Sequence, residues 1–329
     1  MTLTVRKPTG LPAWPVLLLA GVEKSGKTYA AAQASASDMI GHTYWIGFGE
    51  QDPDEYGQIG RFDIVEHDGT YRDLLRAIDD VKAAVSGDKP TLLVLDSASK
   101  VWQLLKDETQ EAAWRRAKRN AEKYRKPFSQ AVEEVKPSMD LWNLAAQRWG
   151  HIMAALQAHP GPVIITARMD EVAVIGSDDK PTRDKEWSIQ GHKSLPFEVS
   201  GIVELRSYRK ASIRGVRSLR WQAPPDQLVP VPDFTVEGLW QKIGLADATA
   251  GVQRASSAEA SLDADQPAPA DDELTAVKRQ IAKFVPEGAQ VARWATALFT
   301  ERGMDINSVE DARAVLAYIS KEAPHEQQG

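Results

Sequence analysis

Residues 21–28 read GVEKSGKT, two glycines framing a loop that closes on a lysine and a threonine. This G-x-x-x-x-G-K-[ST] spacing suits a phosphate group. Gly21 and Gly26 let the backbone curl so that successive N–H groups face an anion. Val22, Glu23, Lys24 and Ser25 fill the loop, and a helix starting near Lys27 adds the positive end of its dipole. Lys27 can reach the β- and γ-phosphate oxygens, and the Thr28 hydroxyl can ligate Mg²⁺. Tyr29 follows directly and is counted with the nucleotide contacts. A chance match on a glycine turn is the alternative, and the flanking pattern argues against it. VLLLA at 16–20 precedes the loop as a strand, and an Ala-rich helix is expected over 27–38.

Two acids complete the chemistry. TLLVLDS at 91–97 is an apolar strand ending in Asp96, placed to hold Mg²⁺ through water opposite Thr28. Many strands end in Asp as a helix cap, so the pairing with the phosphate loop is what gives Asp96 its metal reading. YWIGFGEQDP at 44–53 runs a strand into Glu50, on the strand expected to neighbour the phosphate loop. Asp52, Asp54 and Glu55 stand close by, so a solvated loop acid competes with a catalytic one.

These groups need a scaffold, and residues 1–250 alternate strand and helix patterns. Strands are expected at 44–48, 62–65, 91–95 and 163–166, with a helix over 74–85. Short wholly apolar strands between helices predict an α/β fold with a mainly parallel sheet covered on both faces. From 171 to 221 the runs shorten, and 201–205 and 216–221 are expected as antiparallel strands at the sheet edge. Gly215 is expected at or near a hairpin turn. The domain reading is 1–248 for this core, a flexible acidic linker at 249–272, and a small helical domain at 273–329. The linker is rich in Ala, Ser, Asp and Pro and lacks aromatics. In the helical domain Trp294, Leu298 and Phe299 form either a core or a recruiting patch.

Composition narrows the classes. The 329 residues are 43% hydrophobic and 26% charged, with net charge -6, which argues against nucleic-acid binding through overall positive charge. Zero cysteines exclude disulfides, thiolate metal sites and cysteine nucleophiles. The six histidines show no metal-ligand spacing, and Ser97 and Ser99 lie outside any G-x-S-x-G elbow. No apolar run approaches membrane length, so no membrane partner and a cytoplasmic location are expected. The ten tryptophans are scattered and read as core and interface anchors.

The GVEKSGKT loop with its acidic Glu23, the strand into Glu50 and the downstream strands resemble the RecA-like recombinase ATPases over roughly residues 14–225. The resemblance is highly specific only at the phosphate loop. It implies a RecA-like P-loop NTPase core with antiparallel strands at one edge, with Glu50 as general base for the attacking water. VIITAR at 163–168 resembles the strand ending in the family's γ-phosphate sensor, usually an amide such as Gln. Here Thr166 and Arg168 stand instead. QGHKSLPF at 190–197, leading into GIVELR at 201–206, resembles the segment after the second DNA-binding loop.

By the same resemblance Lys193, Arg209 and Lys210 are candidate fingers reaching a neighbouring subunit's γ-phosphate. A basic edge hairpin, protected against aggregation, explains the same charges. Arg115, Arg116, Lys118, Arg119, Lys123, Arg125 and Lys126 crowd one expected helix with Trp114 and Tyr124, where the first DNA-binding loop occurs. That mixture suits single-stranded DNA, and a solvated face paired with Glu111 and Glu122 suits it equally. The overall expectation is an ATP- and Mg²⁺-dependent homo-oligomeric ATPase on single-stranded DNA, most similar to phage-encoded annealing and recombination ATPases. A single-strand-binding or annealing protein is the expected partner of the C-terminal helices. The rivals are a hexameric helicase motor, a small-molecule kinase with a lid at 106–140, and a non-hydrolysing annealing scaffold.

Overall fold

The computed structural model describes residues 7, 10–50, 53–85, 87–124, 135–175, 180–245 and 313. The chain divides into two units, Met1–Ser257 and Ala258–Gly329, and the described residues belong to the first apart from Arg313. The expected linker, and the helical domain but for Arg313, lie outside the described residues.

Nine strands, six α-helices and a short 3-10 helix at Asp54–Gln58 follow one another among the described residues of this first unit. Strand β1 (Val16–Gly21) leads into α1 (Lys27–Ser35), then β2 (His42–Gly47), β3 (Asp63–Ile64) and α2 (Tyr71–Ala83). Strand β4 (Thr91–Asp96) leads into the long α3 (Ala98–Tyr124), followed by α4 (Met139–Gln157). Next come β5 (Val163–Ile175), β6 (Pro181–Ile189), the short α5 (Leu195–Glu198) and β7 (Gly201–Ser207). Strands β8 (Lys210–Arg214) and β9 (Val229–Val231) and helix α6 (Val236–Lys242) complete it.

The lateral order is β3-β2-β4-β5-β1-β7-β8-β9, with β6 pairing β5 outside this path. Strands β3 through β7 along that path run parallel. The antiparallel pairs are β5 with β6, β7 with β8, and β8 with β9. The apolar strands are continuous because the sheet is covered on both faces. Along β1, Leu18 joins Leu93, Leu95 and Ile165 under α2, α3 and α4. Its neighbours Leu17 and Leu19 join Leu92, Val94 and Ile164 under α1 and α6. Strand periodicity of two thus splits one apolar run between two layers. Helix α2 shows the matching helical logic: Leu74, Ala77, Ile78 and Val81 are buried on one face, and the Thr70 hydroxyl accepts from Asp73 N at its start.

Four expectations are corrected. Strand β2 is not beside β1, because β5 and β4 lie between them. Chain order does not set lateral order, and β5, wholly apolar where it enters the sheet, takes the place with neighbours on both sides. Gly201–Leu205 runs parallel to β1, and the antiparallel edge starts only at β8. Val216–Trp221 forms no strand beyond a single bridge from Val216 to Ala223, and regular pairing stops at Arg214, just before Gly215 with its φ of +65°. The hairpin turn is Tyr208–Arg209, ahead of the expected position. Elsewhere boundaries shift modestly: α1 ends at Ser35, and the 62–65 strand shrinks to two residues.

Candidate nucleotide site

Strand β1 ends under the phosphate loop, and local packing explains its glycines. A Cβ on Gly21 would lie 2.6 Å from both Leu205 O and Ser25 Oγ, so no larger residue fits there. Gly26 has φ +104° and forms the N-cap of α1 without a side-chain cap. No acid stands in the first turn of α1, which leaves its positive end uncompensated. The loop is braced internally. Ser25 Oγ donates to Val22 O at 2.8 Å, and Val22 N donates to Leu205 O at 3.2 Å. Lys27 Nζ donates to Gly21 O at 3.0 Å and Val22 O at 2.8 Å. Burial lowers the Lys27 pKa, against the attraction of Asp96 and Glu50.

Strand β4 delivers Asp96 to the same place, 4% exposed. Its Oδ2 accepts from Thr28 Oγ1 at 3.1 Å, and its Oδ1 accepts from Thr166 Oγ1. Burial raises its pKa, opposed by the Thr166 and Thr28 hydrogen bonds. A hydroxyl and a carboxylate side by side are the hard oxygen donors Mg²⁺ takes, so these residues fit that ion. No cluster of three or more His, Cys, Asp or Glu able to hold a metal occurs among the described residues. An ion held largely by phosphate and water needs none.

Glu50 follows β2 and is fixed from two sides. Ser97 Oγ donates to its Oε1 at 2.8 Å. Arg168, at the β5 position in register with Gly21, donates from Nε to Oε1 at 2.9 Å and from Nη2 to Oε2 at 2.7 Å. Burial alone would raise the Glu50 pKa, but the hydrogen bonds from Arg168 and Ser97 outweigh it and hold the carboxyl below its ordinary value. Ser99 Oγ accepts from Arg168 N at 2.8 Å and donates to Gln190 O at 2.5 Å, fixing the backbone there. The sheet therefore gathers Lys27, Thr28, Asp96 and Glu50 around one loop, despite the intervening strands.

The remaining candidates lie elsewhere. Lys193 is exposed just before α5, and Lys210 is exposed at the start of β8. Arg209 is also exposed, but its guanidinium stacks 4.0 Å from the ring centre of its own chain's Tyr29. Arg115, Arg116, Lys118, Arg119 and Lys123 are exposed on α3. Arg115 Nε pairs with Glu111 at 3.0 Å, and Arg116 reaches Asp140 at 2.9 Å. Lys118 stands 5.3 Å from the Trp114 ring centre, and Lys123 the same distance from that of Tyr124. Arg125 and Lys126 lie outside the described residues.

Sequence reasoning missed the roles of Ser97, which it treats only as a failed nucleophile, and of Tyr56 and Tyr208, which face the loop. Ser97 had one signal, its place directly after Asp96. The tyrosines had none.

Residues 15–214 match the AAA domain family, a span that includes every side chain of the site just described. The chain belongs to the AAA domain family. No curated protein matches it. Among solved structures this AAA domain chain is similar to the RadB recombinase, with TM-score 0.36 and 15% identity over 65% of this chain and 86% of that one. It is also similar to a prototypical type III secretion system ATPase of pathogenic bacteria, with TM-score 0.33 and 10% identity over 93% of this chain and 79% of that one.

Proposed function

We propose that the chain is an ATP- and Mg²⁺-dependent ATPase acting on single-stranded DNA in recombination, annealing or replication, as a homo-oligomeric ring or filament. The observation that carries the hydrolytic reading is the convergence of a phosphate loop, the Thr28–Asp96 oxygen pair and a fixed carboxylate, Glu50. ATP binds with its phosphates on the loop amides and Lys27. Thr28 and Asp96 would hold the Mg²⁺, which when bound neutralises phosphate charge. Glu50 orients a water and takes its proton. The water oxygen bonds the γ-phosphorus as the bond to the bridging oxygen breaks, and Lys27 and the amides meet the charge on the transferred group. The products are ADP and phosphate.

The exposed cations of α3, interleaved with Trp114 and Tyr124, support the DNA half of the proposal. The resemblance to phage-encoded annealing and recombination ATPases supports assembly, with Lys193, Arg209 and Lys210 as the candidates for a finger toward a neighbour. It also supports the cytoplasm as location and a single-strand-binding partner for the C-terminal segment. The test measures ATP hydrolysis with and without single-stranded DNA across protein concentration. Rates rising with both are expected. Phosphate release indifferent to DNA at every concentration would remove the DNA reading.

One observation favours a second reading, a nucleotide-gated protein that does not turn over: Arg168 occupies both oxygens of Glu50. Tight ATP binding with no hydrolysis, even with DNA present, would select it.

A further inference from the structure

A cavity of about 270 Å³ lies over the phosphate loop, and three separate stretches of the chain build it. The loop and the start of α1 contribute Lys24 to Tyr29, and Tyr56, Tyr208 and Arg209 complete the lining. The phosphate-binding residues and Arg209 therefore face the same space. Glu50, Ser97 and Arg168, which form the hydrolytic end, are not in its lining.

The β7–β8 hairpin that carries Arg209 is tied to its own loop at several points. Val22 N donates to Leu205 O at 3.2 Å, and Arg209 N donates to Ser25 O at 2.9 Å. A Cβ on Gly26 would sit 3.6 Å from Arg209 Cγ. Arg209 has φ +54°, a conformation that a residue with a Cβ adopts at a cost. The turn thus presents arginine where glycine would be easier, and stacks its guanidinium on Tyr29. Contact with a ring face consumes no hydrogen-bond acceptor, so the N–H donors of the guanidinium stay available for an anion. The backbone ties fix the hairpin on its own loop, and the Tyr29 contact holds the Arg209 side chain over its own chain's cavity.

We propose that Arg209 acts in cis, clamping the phosphates of the nucleotide bound to its own chain at the end of the loop remote from Glu50. The proposal rests on the nucleotide reading of the loop given above. A clamp at that end holds substrate and product alike, since both carry the α- and β-phosphates. Its loss weakens binding of both, and the hydrolytic step suffers less. A finger directed at a neighbour's γ-phosphate has the opposite signature. It spares affinity, lowers turnover, and is complemented by a subunit whose own defect lies elsewhere.

The experiment uses the full chain with fluorescent ADP and a fluorescent non-hydrolysable ATP analogue, each with Mg²⁺. Arg209→Gly removes the guanidinium where glycine accepts the backbone, so the hairpin should persist, as a thermal melt will check. Its Kd should rise about 10-fold or more for both nucleotides, the scale of one charge-assisted hydrogen bond. Arg209→Lys keeps the charge without the planar fork, and its Kd should fall between those of Arg209→Gly and the unsubstituted chain. Mixing Arg209→Gly with Glu50→Gln subunits should give no more turnover than the two variants give separately. Unchanged affinity for both nucleotides in both Arg209 variants would overturn the clamp, as would turnover restored by mixing. If the unsubstituted chain binds neither nucleotide, the nucleotide reading itself falls and takes the clamp with it. If that chain binds normally and the variants match it, the clamp alone falls.

Discussion

Arg168 grips Glu50 with two guanidinium nitrogens, one on each carboxylate oxygen, at 2.9 and 2.7 Å. The fork fixes the carboxylate while leaving Arg168 nearly half exposed beside the phosphate loop. A carboxylate so engaged is ionised and oriented, but both of its oxygens are shared. On the proposed hydrolytic reading, a water must compete with Arg168 for one of them.

Glu50→Gln keeps the shape and a hydrogen-bonding group but removes the base. ATP binding should be unchanged within about 2-fold, while turnover falls by roughly 10²-fold or more. Equilibrium binding beside single-turnover hydrolysis measures both. Unaltered single-turnover rates would take Glu50 out of the chemistry.

The pH profile follows from the same contact. The folded-state pKa of Glu50 lies below the ordinary 4.5, so its charged form is favoured by folding. That contribution is present above the unfolded pKa and is lost as pH falls through the folded value. Arg168→Gln leaves burial as the leading influence, which raises the pKa. The acid limb of the ATPase profile should therefore move to higher pH in Arg168→Gln. An acid limb that stays in place would separate Arg168 from the titration of Glu50.

Asp96→Asn replaces a buried carboxylate with an amide of similar size. Both hydroxyl partners, Thr28 and Thr166, can still bond to the amide, so the fold should hold. The Mg²⁺ concentration giving half-maximal nucleotide affinity should rise about 10-fold or more, because an anionic oxygen is lost from the ion's surroundings. A titration of Mg²⁺ at fixed labelled nucleotide reads this directly. An unshifted midpoint would place the ion elsewhere.

Neutralising Arg115, Arg116 and Arg119 together tests helix α3. Single-stranded DNA affinity should fall, and the slope of log affinity against log salt should flatten by roughly 0.7 for each phosphate no longer neutralised. Arg115 and Arg116 already pair with Glu111 and Asp140. If those pairs are their whole role, DNA affinity and slope will match the unsubstituted chain and only the melting temperature will change.

Much of this protein is legible without coordinates because the signals are local. The phosphate loop is eight consecutive residues whose glycines answer partly local demands, the 2.6 Å approach of Ser25 Oγ to a Gly21 Cβ and the φ of +104° at Gly26. Asp96 and the apolar run before it announce a buried strand ending at a site, since continuous apolarity reports a sheet covered on both faces. Spacing alone announces the second helix, expected over 74–85 and found at Tyr71–Ala83. Lateral order is different, because nothing local in β2, β4 or β5 states which lies beside β1. Only packing into two layers put two strands between the loop and Glu50 while still bringing them to one end of the sheet. The pairing of Arg168 with Glu50 spans 118 residues, and Arg209 meets Tyr29 from the far side of the same loop. Such contacts depend on strand register and the position of a hairpin turn. Both are set by how the whole sheet closes, since a residue's type records its burial and local conformation but not its distant neighbour.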